Sequence, residues 1–330
     1  QHQHGDYLPW EQGTEAVVTG FPMFHAAGLA FVIVTLRYGA QFALIPNPRD
    51  VEFMCAQMKA RPPTRLAAVP SLFQMLVDTP AFKEVDFSKL NIASRGAAPL
   101  SSGDRHNIEA IIGAGKISDV FGMTETGPVH VSNPPGRSVP SSVGIPVPGA
   151  DTRIVDLETG TQEMPFGEPG EIITSGPQVM KGYLNLPEES ANSLRQWRDK
   201  TWMYTGDVGY MDEEGYIYLC DRAKDMLIVG GFKVFSVEVE DKMQSMDQIA
   251  MTALIGQPDT NRPGNDIVHL YVEPTVAAKA LDKTELEADI LAFCREHMAP
   301  YKVPKVIHII DAIPLTAVGK IDKKALRATA

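Results

Sequence analysis

Between Asp50 and Val120 the chain alternates stretches of helical apolar spacing with short apolar runs, and no other feature of the sequence restricts the fold as much. Asp50 is placed to cap a helix in which Val51, Met54, Cys55 and Met58 recur at helical spacing. A strand is predicted over Arg65 to Val69, ended by Pro70, and a second helix from Ser71. A strand over Leu90 to Ser94, a Gly/Ala/Pro loop, a helix over Ser101 to Ile112 and a strand over Ile117 to Val120 follow. Strands that alternate with helices imply a parallel sheet covered on both faces.

The texture then changes. From Pro134 to Asp221 short β-like runs (Thr152 to Val155, Glu171 to Thr174, Tyr216 to Cys220) are separated by Gly/Pro turns, which predicts a small β-barrel or a distorted sheet. Beyond Asp225 the spacing predicts a helix near Ser236 to Met246, strands over Ile249 to Ile255 and Ile267 to Val272, a helix from Thr284 and a strand over Lys305 to Ile310. Thr284-x-x-Glu287 reads as a capping box, and Leu286, Ile290 and Phe293 form one apolar stripe. The expected fold class is α/β: a large N-terminal domain, present in part, with a parallel sheet, helices and a small β-barrel, then a small α+β C-terminal domain. Domain boundaries are predicted at residues 1–221 (sheet region 16–133, β-rich region 134–221) and 222–330.

The 330 residues exceed what one hydrophobic core usually serves, which agrees with two domains. Lys plus Arg number 30 against 41 for Asp plus Glu, and the net charge of −11 disfavours nucleic acid and anionic lipid as partners. Cys55, Cys220 and Cys294 are odd in number and far apart, with no C-x-x-C pair, so a reducing cytoplasm is the expected location. The longest apolar stretch, Ala26 to Leu36, is 11 residues, too short for a transmembrane segment.

Four segments carry residue types suited to chemistry. Phe121-Gly-Met-Thr-Glu-Thr126 follows the strand Ile117 to Val120, at the strand end where open parallel sheets bind ligands. There a glycine admits close backbone approach, Thr124 offers a hydroxyl to a phosphate oxygen, and Glu125 can hold a hard cation. Tyr204-Thr-Gly-Asp207 places a carboxylate after a turn, where it can accept from two adjacent hydroxyls. Asp221-Arg-Ala-Lys-Asp225 is a run of charge that by itself reads as a solvated linker, but the pair Gly230-Gly231 soon after permits backbone conformations closed to other residues. The fourth, Pro314-Leu-Thr-Ala-Val-Gly-Lys320, is not a P-loop, because Pro314 and Ile321 stand at positions that motif reserves for Gly and Ser/Thr. H-E-x-x-H, G-x-S-x-G and G-x-G-x-x-G are absent, which removes zinc hydrolysis, serine esterase and Rossmann readings.

The order Phe-Gly-Met-Thr-Glu, Gly170-Glu-Ile172, Gly182-Tyr183, Tyr-Thr-Gly-Asp, Asp-Arg-x-Lys-Asp and Pro-x-Thr-x-x-Gly-Lys resembles the AMP-forming acyl-CoA synthetases, over about Phe21 to Leu326. Phe21-Pro-Met-Phe-His25 is similar to the family's aromatic-His segment beside the acyl pocket, and Gly96-Ala97-Ala98-Pro99 to its adenine-binding loop. The resemblance implies an ATP-dependent acid–thiol ligase using ATP, Mg²⁺ and coenzyme A, with a fatty acid as the expected carboxylic acid. An aryl-acid or short-chain ligase, or a non-catalytic acyl-nucleotide-binding fragment, are the alternatives. It implies nucleotide contacts from Gly96, Ala97, Ala98, Phe121, Gly122, Thr124, Asp207 and Arg222. Thr124 would touch the α-phosphate, Glu125 the Mg²⁺ and Asp207 the ribose hydroxyls. Lys320, with Thr124, Glu125 and His25, would make the catalytic set. Lys224 would be a hinge for a mobile C-terminal domain, and Gly230, Gly231, Phe232 and Lys233 the loop that replaces Lys320 for thioester formation.

Two departures accompany the resemblance. Ser236 stands where many relatives have proline, and its place before a helix predicts little consequence. The family's T-S-G-T-T-G-x-P-K phosphate loop occurs nowhere in the chain. The expectation is therefore a truncated enzyme, impaired in adenylation by itself, with strands left without neighbours and a tendency to form homo-oligomers.

Overall fold

The computed structural model describes residues 10–96, 102–134, 136–316 and 320–329. The chain divides into two compact units, Gln1–Thr205 with Gly209–Leu219, and Gly206–Val208 with Cys220–Ala330.

The first unit is built on a seven-stranded sheet in the order β2-β1-β3-β4-β5-β6-β7, the strands being β1 Ala16–Thr19, β2 Gln41–Ala43, β3 Arg65–Ala68, β4 Ile92–Arg95, β5 Ile117–Phe121, β6 Val131–Ser132 and β7 Ile145–Pro146. Strands β1 to β5 run parallel, as the alternation of elements predicts, and β6 and β7 turn back antiparallel. β1 and β2 supply neighbours on the side of β3 away from β4, so β3 is not an edge strand. Asp50 caps helix Val51–Ala60 by accepting from the Phe53 N–H at 3.0 Å, and Pro70 opens helix Pro70–Asp78 at the position where its missing donor costs nothing. Met54, Cys55, Met58, Leu66, Phe73, Leu76, Ile108, Ile112 and Ile117 close one core beneath the sheet.

The β-rich region is an open, branched sheet among the described residues, not a closed barrel. Its strands, β8 Asp151–Val155, β9 Gly170–Ser175, β10 Leu194–Trp197, β11 Lys200–Met211 and β12 Ile217–Arg222, follow the order β10-β11-β9-β8 with β12 paired to β11. Of the two forms the sequence allows, the distorted sheet is the one formed.

The second unit carries the hairpin β13 Leu227–Val229 and β14 Phe232–Val234, then a three-stranded sheet of β15 Ile249–Pro258, β16 Asp266–Pro274 and β17 Val306–Ile309. Helices Ser236–Met243 and Lys283–His297 contribute Val239, Met243, Leu286, Ile290 and Cys294 to a core shared with Leu254, Leu270 and Val272. The long helix begins one residue before the predicted capping box. Asp282 is its cap, accepting from the N–H groups of Thr284 and Glu285, because a carboxylate at that position reaches both free donors. Its fully buried stripe is Leu286, Ile290 and Cys294, with Phe293 only partly buried beside it.

Candidate functional site

In the first unit the candidate residues gather at the carboxyl ends of β4 and β5. Gly96 follows β4 and lies so close to Val120 that a Cβ there would stand 3.2 Å from a Val120 methyl. Ala97, Ala98 and Pro99 lie outside the described residues. Phe121 ends β5, and Gly122 turns the chain so tightly that a Cβ would fall 1.9 Å from the Pro128 carbonyl oxygen. Only glycine fits that turn. Thr126, fully buried, accepts from the Met123 N–H at 3.0 Å and donates its hydroxyl back to the Met123 carbonyl at 3.1 Å. This closes a single 3₁₀ turn, Thr124–Thr126, that leaves Thr124 exposed and Glu125 half-buried.

Glu125 is oriented by a residue that the sequence motifs contain without a role. The Tyr183 hydroxyl donates to Glu125 Oε1 at 2.8 Å, and burial together with that bond pushes the phenol above its ordinary range. The Glu125 carbonyl accepts the Met180 N–H at 2.8 Å, so Glu125 is tied twice to the stretch from Met180 to Tyr183. The only sequence signal for this pair is the Gly182-Tyr183 dipeptide, 58 residues away from Glu125 in the case of the tyrosine. No three His, Cys, Asp or Glu side chains cluster to hold a metal among the described residues. Glu125 thus offers one carboxylate, a donor set that suits Mg²⁺, which keeps waters and phosphate oxygens for its remaining positions.

Behind the same loop lies His130, completely buried, its ring 4.9 Å from that of Phe121. Neither ring nitrogen has a hydrogen-bond partner among the described residues, and burial alone brings its pKa down to about 3. His25 sits elsewhere in the unit, at the start of helix Ala26–Tyr38, where its Nδ1 accepts from the Ala27 N–H at 3.2 Å. Its position is that of a helix cap. Phe24 beside it is 88% exposed.

The second unit brings together Asp207, Arg222 and Lys320, which are widely separated in sequence. No turn forms at Tyr204–Asp207: Gly206, with φ of 70°, lies inside β11 just before Asp207, and its carbonyl accepts the Ala223 N–H at 2.8 Å. Arg222 Nε stands 3.3 Å from Asp207 Oδ1, the carboxylate largely covered and the guanidinium half exposed. Lys320 is held below the ordinary lysine range by burial first and by the Arg222 guanidinium second, while Asp207 opposes the shift. Lys320 is fixed by its N–H to Thr316 Oγ1 at 3.1 Å and by its carbonyl, which accepts the Thr316 N–H at 2.7 Å. Lys224 is exposed in the turn after β12. Gly230 and Gly231, with φ of 60° and 84°, form the two-residue turn of the β13–β14 hairpin, since Val229 pairs directly with Phe232. Phe232 stacks on Tyr301 with centroids 4.6 Å apart, and Lys233 is exposed.

Family models match most of both units. The model of the AMP-binding enzyme family matches residues 2–184, and that of the AMP-binding enzyme C-terminal domain matches residues 238–320. A long-chain-fatty-acid–CoA ligase of Bacillus subtilis (strain 168) is 37% identical over 318 residues, covering 96% of this chain and 54% of the relative. The crystal structure of ATP-bound MatB from Rhodopseudomonas palustris superposes with a TM-score of 0.88 at 31% identity, over 99% of this chain and 62% of that one. That of the anthranilate CoA ligase AuaEII in complex with anthranoyl-AMP does so with a TM-score of 0.85 at 26% identity, over 100% and 62%. The chain spans about half the length of the curated relatives it matches. With one family model covering more than half of its residues, the chain belongs to the AMP-binding enzymes.

Proposed function

We propose that this chain carries the adenylate-handling residues of an ATP-dependent acid–thiol ligase that activates a fatty acid and transfers the acyl group to coenzyme A. The observation that carries the reading is the meeting of Asp207, Arg222 and Lys320 in one unit. An acidic group suited to two ribose hydroxyls stands beside two cations suited to a phosphate. In the first half-reaction a carboxylate oxygen of the acid bonds to the α-phosphorus as the bond to pyrophosphate breaks. Two anions must approach, and Lys320 at the bridging position would stabilise the charge that develops there. Thr124 would donate to the α-phosphate, with Gly96, Phe121 and Gly122 against the base and sugar side. Glu125, oriented by Tyr183, would hold Mg²⁺, which supplies charge neutralisation to the phosphates when bound.

In the second half-reaction the thiol sulfur bonds to the acyl carbon and AMP leaves. For this step the domain from residue 222 onward would turn about Lys224 and replace Lys320 with the loop Gly230, Gly231, Phe232 and Lys233. His25, beside Phe24, would border the acyl pocket. The fatty-acyl substrate is supported by the name of the Bacillus subtilis relative, whereas the anthranilate ligase favours an aryl-acid alternative. No helix among the described residues is long and apolar enough to cross a membrane, and the three free thiols support a reducing cytoplasm. The exposed Met23, Phe24, Leu29, Ile33 and Leu36 support self-association.

The test is acid-dependent ATP–pyrophosphate exchange, by a protein that joins this chain to a phosphate loop of the family type, over a panel of fatty, short-chain and aryl acids. Exchange that peaks with fatty acids is expected. Binding of a non-hydrolysable acyl-adenylate analogue without exchange for any acid would mark a non-catalytic binding module, and a peak with aryl acids would move the substrate class.

A further inference from the structure

Ser236 is the residue at which the chain departs from the proline expected by resemblance, and it is completely buried as the first residue of helix Ser236–Met243. Its backbone N–H donates to Asp221 Oδ2, and its hydroxyl donates to Asp221 Oδ1 at 3.0 Å. The Lys323 ammonium in turn donates to that hydroxyl. A hydroxyl can do both at once, having one proton to give and lone pairs to accept. Proline could supply neither donor, although it fits the first position of a helix without strain.

The bridge lies next to the basic cluster on both sides. Asp221 precedes Arg222 and accepts its N–H at 2.7 Å, and Lys323 follows Lys320 by three residues. Lys323 also pairs with Glu240 at 2.8 Å, and Glu240 accepts the Leu254 N–H at 2.7 Å, so the far end of the bridge is anchored to β15. A second contact from the same terminal helix, Lys323–Thr329, reaches the other end of the charged segment. Arg327 pairs with Asp225 at 2.6 Å and lies 3.5 Å from the Lys224 carbonyl oxygen. The helix therefore grips Asp221 through Ser236 and Asp225 directly.

We propose that Ser236 is a positioning residue, joining Asp221 to Lys323 so that Arg222 and Lys320 are held at a set separation. The inference rests on the adenylating role proposed for Arg222 and Lys320, and its test reads geometry separately from activity. Lysine side chains are labelled with ¹³C at the ε carbon, and Lys320 is titrated by NMR in the 330-residue protein, beside thermal unfolding, while pyrophosphate exchange is read in a protein that joins this chain to a phosphate loop of the family type. In Ser236→Ala the Lys320 midpoint is expected to rise toward that of free lysine, as burial and the nearby guanidinium relax. Exchange is expected to fall about 10- to 100-fold, the scale of a small misplacement of a reacting group. Ser236→Pro, compatible with the helix start, carries the same test if Ser236→Ala does not fold, and a larger rise is expected because the N–H is lost too. A Lys320 titration unchanged in both variants, with only the melting temperature lowered, would overturn the proposal and leave Ser236 a structural bond. If the Lys320 midpoint follows Ser236 while the protein joined to the phosphate loop shows no exchange with any acid, the bridge stands and the ligase reading falls.

Discussion

The loop Phe121–Thr126 and the cluster around Arg222 hold their side chains by different forces. In the loop, shape does the holding: Gly122 leaves no room for a Cβ, and a buried threonine closes one turn with neutral hydrogen bonds. In the cluster, charge does it: Asp221, Glu240 and Lys323 are largely withdrawn from water and kept by one another and by Ser236. Burial raises both carboxyls above their ordinary range, and Lys323 pulls them down again without restoring it. A site held by shape should fail abruptly when an atom is added, and one held by charge should respond to pH and to removal of a single partner.

The largest expected effect follows from shape. Gly122→Ala puts a methyl 1.9 Å from a backbone oxygen, so the turn must open, and a loss of about 4 kcal/mol in urea unfolding is expected for the first unit. A loss below about 1 kcal/mol would mean that the loop yields easily and that the contrast is false. Next comes Lys320→Ala in a protein competent for exchange. Loss of a charge contact at the transition state is expected to slow adenylation about 10²- to 10³-fold, with thiol attack on supplied acyl-adenylate retained. Equal loss in both half-reactions would make Lys320 structural.

Acid should separate the units. His130 is neutral when folded, with its pKa lowered to about 3, whereas the unfolded chain takes up that proton near 6.5. Its contribution to stability is complete above about pH 6.5 and is lost as the pH falls toward 3, by about 1.4 kcal/mol per pH unit. Asp221 and Glu240 act with the opposite sign: a raised folded pKa gives stability that is fully present below the unfolded value and is lost as the pH rises. Hydrogen exchange during acidification should therefore show the first unit opening before the second, and His130→Phe should delay that opening. Simultaneous opening would remove the electrostatic side of the comparison. The smallest effect is that of Tyr183→Phe, which removes one hydrogen bond to Glu125 and should weaken Mg²⁺-dependent nucleotide binding by about 1 kcal/mol in calorimetry, with metal-free binding unchanged.

Much of this was legible from the order of residues, because helices and strands bury faces with fixed periods. The strands over Arg65–Ala68 and Ile117–Phe121, the helix started by Asp50 and the stripe of Leu286 and Ile290 follow from spacing and end signals alone. The strands Ala16–Thr19 and Gln41–Ala43 carry too short a pattern to be read, and they form because β3 offers β1 a parallel partner and β1 in turn offers one to the edge strand β2. The glycines and charged residues of the motifs were visible as types. Their functions as neighbours were not, because Glu125 and Tyr183, or Asp207, Arg222 and Lys320, approach one another only after sheets and hairpins close long loops.

Ser236 marks the limit most clearly. In sequence it is a polar residue at a helix start, a position that tolerates proline because its N–H has no helical partner. In the folded unit that spare N–H and the hydroxyl both face a buried carboxylate, and a lysine arrives from 87 residues away. Local periodicity determined where the helix begins. Whether its first residue bonds to water or joins two charged segments was decided by what the tertiary fold packed against it, since the cost of burying a charge depends on its partners and not on its neighbours in the chain.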